Sequence, residues 1–337
     1  MTTPRLSPAL ALLCVLTACG GDSGKADVKK TGAKVEAKAE VATDTKAEAK
    51  VRPRARATEE ARMPAPKGRV VALGGLDGNL AATKAALKAA GAIDDAGNWA
   101  GGDLVVVQIG NLLGPGKEES AVLKLFDTLA EQAGKAGGAV HRLAGASEIL
   151  NVALTFEGVS AQGFKDYAAE KPIADDPRIE GLPKAQRGRA AAFAAGGSMA
   201  KKLAEQKLVV IAGDSVFAHA GVLEDHVKYG IDILNTEGKK WMLAQEPMMP
   251  NMLSDLGPAR TPKLRGQEPF CGGVEKVIED LAVKRMIIAR GPEKSGATMC
   301  DGKLLRLGPV AGDASGGPEI AEISGGAAKF VPVAAGK

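Results

Sequence analysis

The sequence predicts an α/β fold centred on a largely parallel β-sheet. Three observations carry this. Short apolar runs alternate with amphipathic segments, each of the first three runs stops at glycine, and three strand–glycine-loop–helix units fit within 80 residues. In the first unit, Arg69 to Leu73 is an apolar strand ended by Gly74-Gly75, and a helix follows near Leu80 to Ala90, stopped by Gly91. In the second, the strand Leu104 to Ile109 ends at Gly110, and a helix runs near Glu118 to Gln132. Its Val122, Leu125, Phe126 and Leu129 share one face, and Glu118 and Glu119 suit its positive N-terminal end. The third unit is the strand Ala139 to Leu143, a turn at Gly145 and a short helix from about Ser147.

In parallel sheets ligands sit beyond the carboxyl ends of the strands, so the loops at 74–79, 110–116 and 145–148 are expected to meet on one rim. Residues 156 to 200 read as a helical insertion. Leu208 to Ala212 and Ser215 to His219, joined by Gly213-Asp214, read as a hairpin that runs into His219-Ala220-Gly221. Arg285 to Ala289, Leu304 to Leu307 and Pro318 to Ile323 are later strands, and 326–337 is expected to be a loose tail. With aromatic residues at only 3%, the core must rest on Val, Leu, Ile and Ala.

Residues 20 to 67 carry 12 Lys and Arg against 8 Asp and Glu, which accounts for the whole formal charge of +4. The remainder is close to neutral and has no clustered basic face, which excludes a nucleic-acid footprint. Residues 1–18 read as an export signal: Arg5 is a minimal basic start, and the apolar run Leu6 to Leu16 is too short to span a bilayer. Leu16-Thr17-Ala18-Cys19 resembles the lipobox of bacterial lipoproteins. The resemblance implies a lipid on Cys19 and a protein anchored to the membrane of the bacterial cell envelope, on its periplasmic or surface side. Gly20 suits the outer membrane. The rest of 19–67, rich in Ala, Lys, Glu, Thr and Pro, cannot bury enough apolar surface to offset ordering and reads as a disordered charged tether. Its basic half (Lys50, Arg52, Arg54, Arg56) is either plain spacer or a contact with anionic lipid or cell wall. A globular domain over 68–325 follows. Cys14 leaves with the leader, so Cys271 and Cys300 form either a disulfide, in an oxidising compartment, or two buried thiols.

The loops carry ordered motifs: Gly74-Gly75-Leu76-Asp77-Gly78, Gly110-Asn111-Leu112-Leu113-Gly114-Pro115-Gly116, Gly145-Ala146-Ser147-Glu148, His219-Ala220-Gly221 and Ala289-Arg290-Gly291. In order, spacing and flanks these resemble the site loops of the calcineurin-like metallophosphoesterases, above all the Shewanella-like phosphoprotein phosphatase branch. The flanks include Asn98-Trp99, Gly101-Gly102-Asp103 and Cys300-Asp301-Gly302. The resemblance covers about residues 68 to 323 and implies a sandwich of two β-sheets with helices outside. It also implies a two-metal phosphoesterase, in which paired ions clamp the phosphate and generate hydroxide.

The residue types at those positions depart from that chemistry. Where the family has its first metal-binding Asp, this chain has Gly75; the next His is Asp77, and the bridging Asp is Asn111. The amide ligand is Ala146, and the general-acid His is Ser147. The Asp that orients that acid is Gly114, a phosphate-binding Arg is Pro115, and the His of the last motif is Arg290. Of the metal ligands only His219 keeps its family identity. Asp77, Asn111 and His219 are left as ligands for at most one divalent ion (Mn, Zn or Fe), and otherwise no cofactor is expected. On a purely structural reading, Asp77 caps the following helix, His219 is a strand-end histidine and Glu148 is an N-terminal charge. His141 and His226 lie outside the motifs. These readings converge on an inactive pseudophosphatase lipoprotein that binds an envelope protein or, through Arg290, Asp77 and Asn111, an anionic ligand. The competing reading is a metal-dependent phosphoesterase with a degenerate site.

Overall fold

The computed structural model describes residues 60–64, 66–266, 268–289, 296–311 and 318–334. The leader, Cys19, the tether as far as residue 59 and Arg290 lie outside the described residues. In chain order the first half comprises β1 (Val70–Leu73), α1 (Leu80–Ala89), β2 (Val105–Ile109), α2 (Glu119–Ala136), β3 (Ala139–Leu143) and α3 (Ala146–Val152). A helical insertion follows: α4 (Ala161–Lys165), α5 (Pro177–Glu180), α6 (Lys184–Phe193) and α7 (Ser198–Leu203). The second half contains β4 (Val209–Ala212), β5 (Ser215–Ala218), α8 (Glu224–Tyr229), α9 (Ile231–Met242), α10 (Cys271–Leu281), β6 (Arg285–Ile288), β7 (Ala297–Met299), β8 (Leu304–Arg306), β9 (Glu319–Ser324) and β10 (Ala327–Pro332).

Two five-stranded mixed sheets form, in the orders β10-β9-β1-β2-β3 and β4-β5-β6-β8-β7. β1, β2 and β3 run parallel, as do β5, β6 and β8, while β9, β10, β4 and β7 pair antiparallel. The expected α/β sandwich flanked by helices is the observed architecture. Side-chain alternation buries both faces of the central strands, whose residues are mostly apolar with Gln108, Ser215, Arg285 and Arg306 as buried polar members. Ala72, Val107, Phe217, Ile287 and Leu305 meet between the sheets, and Val71, Val106, Val216, Met286 and Leu304 face the outer helices.

Several boundaries differ from the sequence reading. α2 passes through Gly134 and stops at Gly137, whose φ of 84° supplies the left-handed cap. The 326–337 tail is not loose over its first part: β10 pairs with β9 from Ala327 to Pro332. Nor is the tether free up to residue 67. Ala61 is fully buried, and its carbonyl and the Met63 N–H bond Ile211 at 2.8 and 2.7 Å, extending the edge of β4. The Ala61 N–H donates to Asp232, Arg62 to Leu281 O, and Lys207 Nζ to Glu60 O. The folded domain therefore includes residues 60–63 and reaches Val333, beyond the expected limits of 68 and 325. Cys271, at the start of α10, is bonded to Cys300 in the turn after β7, with Cα atoms 5.2 Å apart.

Candidate functional site

The rim beyond the carboxyl ends of β1, β2, β3 and β5 is built on Asn111. Its backbone is left-handed (φ 52°), a conformation asparagine tolerates better than most residues. That turn lets its carbonyl accept from Leu76 N and Asp77 N, both at 3.1 Å, while its side-chain Oδ1 accepts from Ser147 N at 3.0 Å. One residue thus fastens the first, second and third loops together.

Glu148 does the rest. It is fully buried, and its Oε2 accepts from Asn111 N (2.9 Å) and Gly145 N (2.8 Å). Oε1 accepts from Leu112 N (2.9 Å), Leu113 N (3.0 Å) and Ser147 Oγ (3.1 Å). Burial pushes its pKa up, and the backbone N–H bonds pull against that rise. Its two oxygens together meet four backbone N–H donors and the Ser147 hydroxyl. Glu148 is therefore no simple helix-end charge, as its position in the sequence suggests. The cue to its role is its match to the last residue of the family's third motif, the one position of that motif besides glycine that is unchanged.

Asp77 sits at φ 47°, with its N–H on Asn111 and its carbonyl accepting from Gly116 N at 2.7 Å. It does not cap α1; Asn79 does, accepting from Ala82 N at 3.0 Å. Burial, and secondarily the nearby Glu148 carboxylate, push the Asp77 pKa up to about 7. Gly114 packs on it closely: a Cβ there would lie 2.7 Å from the Asp77 Cα. At Gly75 (φ +61°) a Cβ would lie 2.7 Å from Pro309 Cα, and the 309–311 segment is bonded across the loop by Val310 N to Gly74 O and Ala311 N to Gly75 O. No side chain fits at Gly75 without displacing that segment.

His219 is buried at the end of β5, and its Nδ1 lies 2.8 Å from Ile109 O. A carbonyl only accepts, so the proton is on Nδ1. The bond joins the two sheets at the rim. His226, outside the rim, is also buried; its Nδ1 accepts from Leu223 N and its Nε2 bonds Leu256 O. The structure therefore brings Asp77, Asn111, Ser147 and Glu148 together, with Ala146 and Gly75 contributing backbone only. Among the described residues, no group of three or more His, Cys, Asp or Glu side chains is placed to hold a metal ion.

A second buried network, which the sequence reading misses, supports the second loop from below. Glu119, whose position suggests a helix-end charge, is fully buried, accepts from Gly114 N at 2.9 Å and pairs with buried Arg189 at 2.6 Å. Arg189 also donates to Asn151 Oδ1 and Gly163 O, and its guanidinium lies 4.5 Å from the centre of the Phe193 ring. Arg189 belongs to α6, so the insertion is locked to the rim through this pair. Glu119 and Arg189 are 70 positions apart, and no local pattern connects them.

The paired mixed sheets, with their loops gathered beyond the ends of β1, β2, β3 and β5, define a calcineurin-like phosphoesterase domain. In fold it matches a point mutant of a cold-active protein tyrosine phosphatase (TM-score 0.64, 17% identity, 81% of this chain and 82% of that one). It likewise matches the cold-active protein-tyrosine phosphatase of a psychrophilic Shewanella species (TM-score 0.62, 17% identity, 82% and 85%). No family model matches the chain. It is, however, 30% identical over 295 residues to Shewanella-like protein phosphatase 2 of Arabidopsis thaliana, covering 76% of this chain and 75% of that protein. An uncharacterized protein of Schizosaccharomyces pombe is 25% identical over 252 residues, 71% of each chain. The chain belongs to the Shewanella-like protein phosphatase family.

Proposed function

We propose that this protein is a lipid-anchored pseudophosphatase of the bacterial cell envelope, which acts by binding or scaffolding rather than by turnover. The observation that carries the reading is at Gly75. The family resemblance assigns a metal-binding Asp to this position, and here Pro309 fills the space its Cβ would need. The other positions agree: Ala146 offers no ligand atom, the Asn111 amide oxygen is engaged with Ser147, and Glu148 is consumed by five donors. The residues present do not fit a two-metal centre, which needs several carboxylate, imidazole and amide donors converging on one point. The rim's backbone donors are also largely spent internally, which favours a protein partner over an anion held by loop N–H groups. Residues 1–19 support the envelope location through their lipobox-like pattern.

The test is metal content and turnover of the purified full-length chain. After equilibration with manganese, zinc and iron, elemental mass spectrometry is expected to find no ion retained at stoichiometric level. No metal-dependent hydrolysis of p-nitrophenyl phosphate is expected. Two retained ions per chain, or turnover abolished by His219→Ala, would overturn the reading. Labelling with radioactive palmitate that is lost in Cys19→Ala tests the anchor separately.

A further inference from the structure

Two cavities of about 210 and 250 Å³ open on the surface between α8, the 252–264 segment and the start of α10. Leu223, Asp225 and Lys263 line both, so the two are contiguous, and none of Asp77, Asn111, Ser147 or Glu148 takes part. Of the five exposed large apolar side chains among the described residues, two border this pair. Phe270, 75% exposed, lies on the first cavity, and Leu256, 59% exposed, on the second. Exposed apolar side chains gathered beside open apolar cavities mark an interaction surface.

The start of α10 is shaped to present Phe270. The helix opens Cys271-Gly272-Gly273, although glycine is the poorest helix former after proline. The ring accounts for both glycines. A Cβ on Gly273 would lie 2.9 Å from the Phe270 Cδ1, and one on Gly272 would lie 3.2 Å from its Cζ. The ring thus rests on the helix start while most of its surface faces solvent. The neighbouring Cys271 is fixed by its bond to Cys300. An aromatic side chain held on a braced backbone has little freedom left to lose when a partner covers it.

The charges indicate which partner. Those lining the first cavity are Glu224 and Asp225 against Lys228 and Lys263. Lys228 reaches the two carboxylates at 3.8 and 3.4 Å, exposed pairs of a weak kind that exchange readily for others. A patch of two acids and two bases has no preference for an acidic or a basic partner, but it complements itself when turned about a two-fold axis. The apolar features do the same, because each chain carries both a protruding ring and an open apolar cavity. An interface between identical copies requires this self-complementarity.

We propose that this surface pairs with a second copy of the chain about a two-fold axis. Phe270 of each copy enters the Leu256-lined cavity of the other, and Lys263 of each faces Asp225 of the other. Sedimentation equilibrium of the full-length chain is expected to show a reversible monomer–dimer equilibrium. Phe270→Ser is expected to raise the dimer Kd about thirtyfold, the effect of losing a central anchor. Ile173→Ser, which removes a comparably exposed side chain from the insertion (72% exposed), is expected to leave it unchanged. Lys263→Glu and Asp225→Lys are each expected to weaken self-association about tenfold or more, because like charges then meet twice across the axis. An equimolar mixture of these two variants is expected to recover dimers, since both pairs are opposite in sign in the mixed species.

A monomer at every concentration overturns the proposal, as does a dimer that Phe270→Ser leaves as tight as before. Failure of the mixed charge variants to recover dimers also overturns it, because the two-fold pairing requires that recovery. Should Phe270→Ser fail to fold, judged by thermal melting, the charge variants decide alone, since Asp225 and Lys263 are both exposed.

Discussion

Replacing Glu148 with glutamine exchanges one oxygen for an NH2 group and leaves the side-chain volume almost unchanged, so it isolates the hydrogen bonds. The carboxylate accepts from four backbone N–H groups and one hydroxyl, two on Oε2 and three on Oε1. The amide keeps one oxygen. In its less costly orientation the new NH2 faces the N–H groups of Asn111 and Gly145, and both lose their acceptor. A buried donor left unpaired costs about 1–3 kcal/mol, which places Glu148→Gln at about 2–6 kcal/mol. Removing a buried charge returns part of this, because the same burial that raises the Glu148 pKa penalises its ionised form. A net loss of about 3 kcal/mol is expected. Urea unfolding of the full-length chain, followed by far-ultraviolet circular dichroism, reads it as a lower midpoint at unchanged slope. A loss under about 1 kcal/mol would refute the reasoning, because water would then be serving those donors and Glu148 would not be holding the rim loops together.

Three further outcomes follow from the same structure. Asp77 has a folded pKa near 7, above its unfolded value of 3.8, so its protonated form is the one folding favours. Its contribution is full below about pH 4, declines as pH rises and is gone above about 7, with a ceiling on the order of 4 kcal/mol. Asp77→Asn, which also tolerates the left-handed backbone, is therefore expected to stabilise the protein at about pH 8 and to flatten urea midpoints between about pH 4 and 8 relative to wild type. Arg189→Leu leaves Glu119 buried and unpaired at about 3–5 kcal/mol; a double variant with Glu119→Leu recovers only part, because Gly114 N keeps no acceptor, and paired urea melts check both. A chain beginning at Glu60 should melt like the full-length protein, whereas one beginning at Gly68 loses about 2–4 kcal/mol with the two Ile211 bonds and the Asp232 bond, as differential calorimetry would show.

How far the sequence reports the fold depends on how local each signal is. β1 is a continuous apolar run, β2 is one but for Gln108, β3 is closed by the same glycine signal, and all three emerge within a residue or two of where the pattern puts them. α10 has the same apolar spacing as α2 (Val274, Val277, Ile278, Leu281), but it opens on Gly272-Gly273, whose helix cost conceals it. β10 carries Lys329 and ends in Pro332, both features of an edge strand, and only its pairing with β9 makes it one. The positions of the rim loops are legible through motif order. The hydrogen bonds that join those loops are not: Glu148 and Glu119 read as surface charges near helix starts, and the donors that tie them to distant segments, Asn111, Leu112 and Leu113 for Glu148 and Arg189 for Glu119, lie 35 to 70 positions away.

The rim also explains why its unusual residues occur together. Two metal ions supply positive charge that allows several carboxylates to share a small volume; without that charge the carboxylates repel. Here Glu148 takes the available donors, while burial first and the Glu148 carboxylate second raise the Asp77 pKa to about 7, so the loops accommodate about one buried negative charge. The Asn111 side chain is neutral and adds no charge beside these carboxyls, and its Oδ1 accepts from Ser147 N at 3.0 Å. Asn111→Asp alone would add a third carboxylate to the cluster. It is expected to lower stability at about pH 8 more than at about pH 5 and to leave metal retention unchanged, read from urea midpoints and elemental analysis of the same preparation. A gain of stability in the presence of manganese would show instead that the loops still close around an ion once a bridging carboxylate is returned, and the pseudophosphatase reading would then rest on one residue rather than on the packing of Pro309 against Gly75.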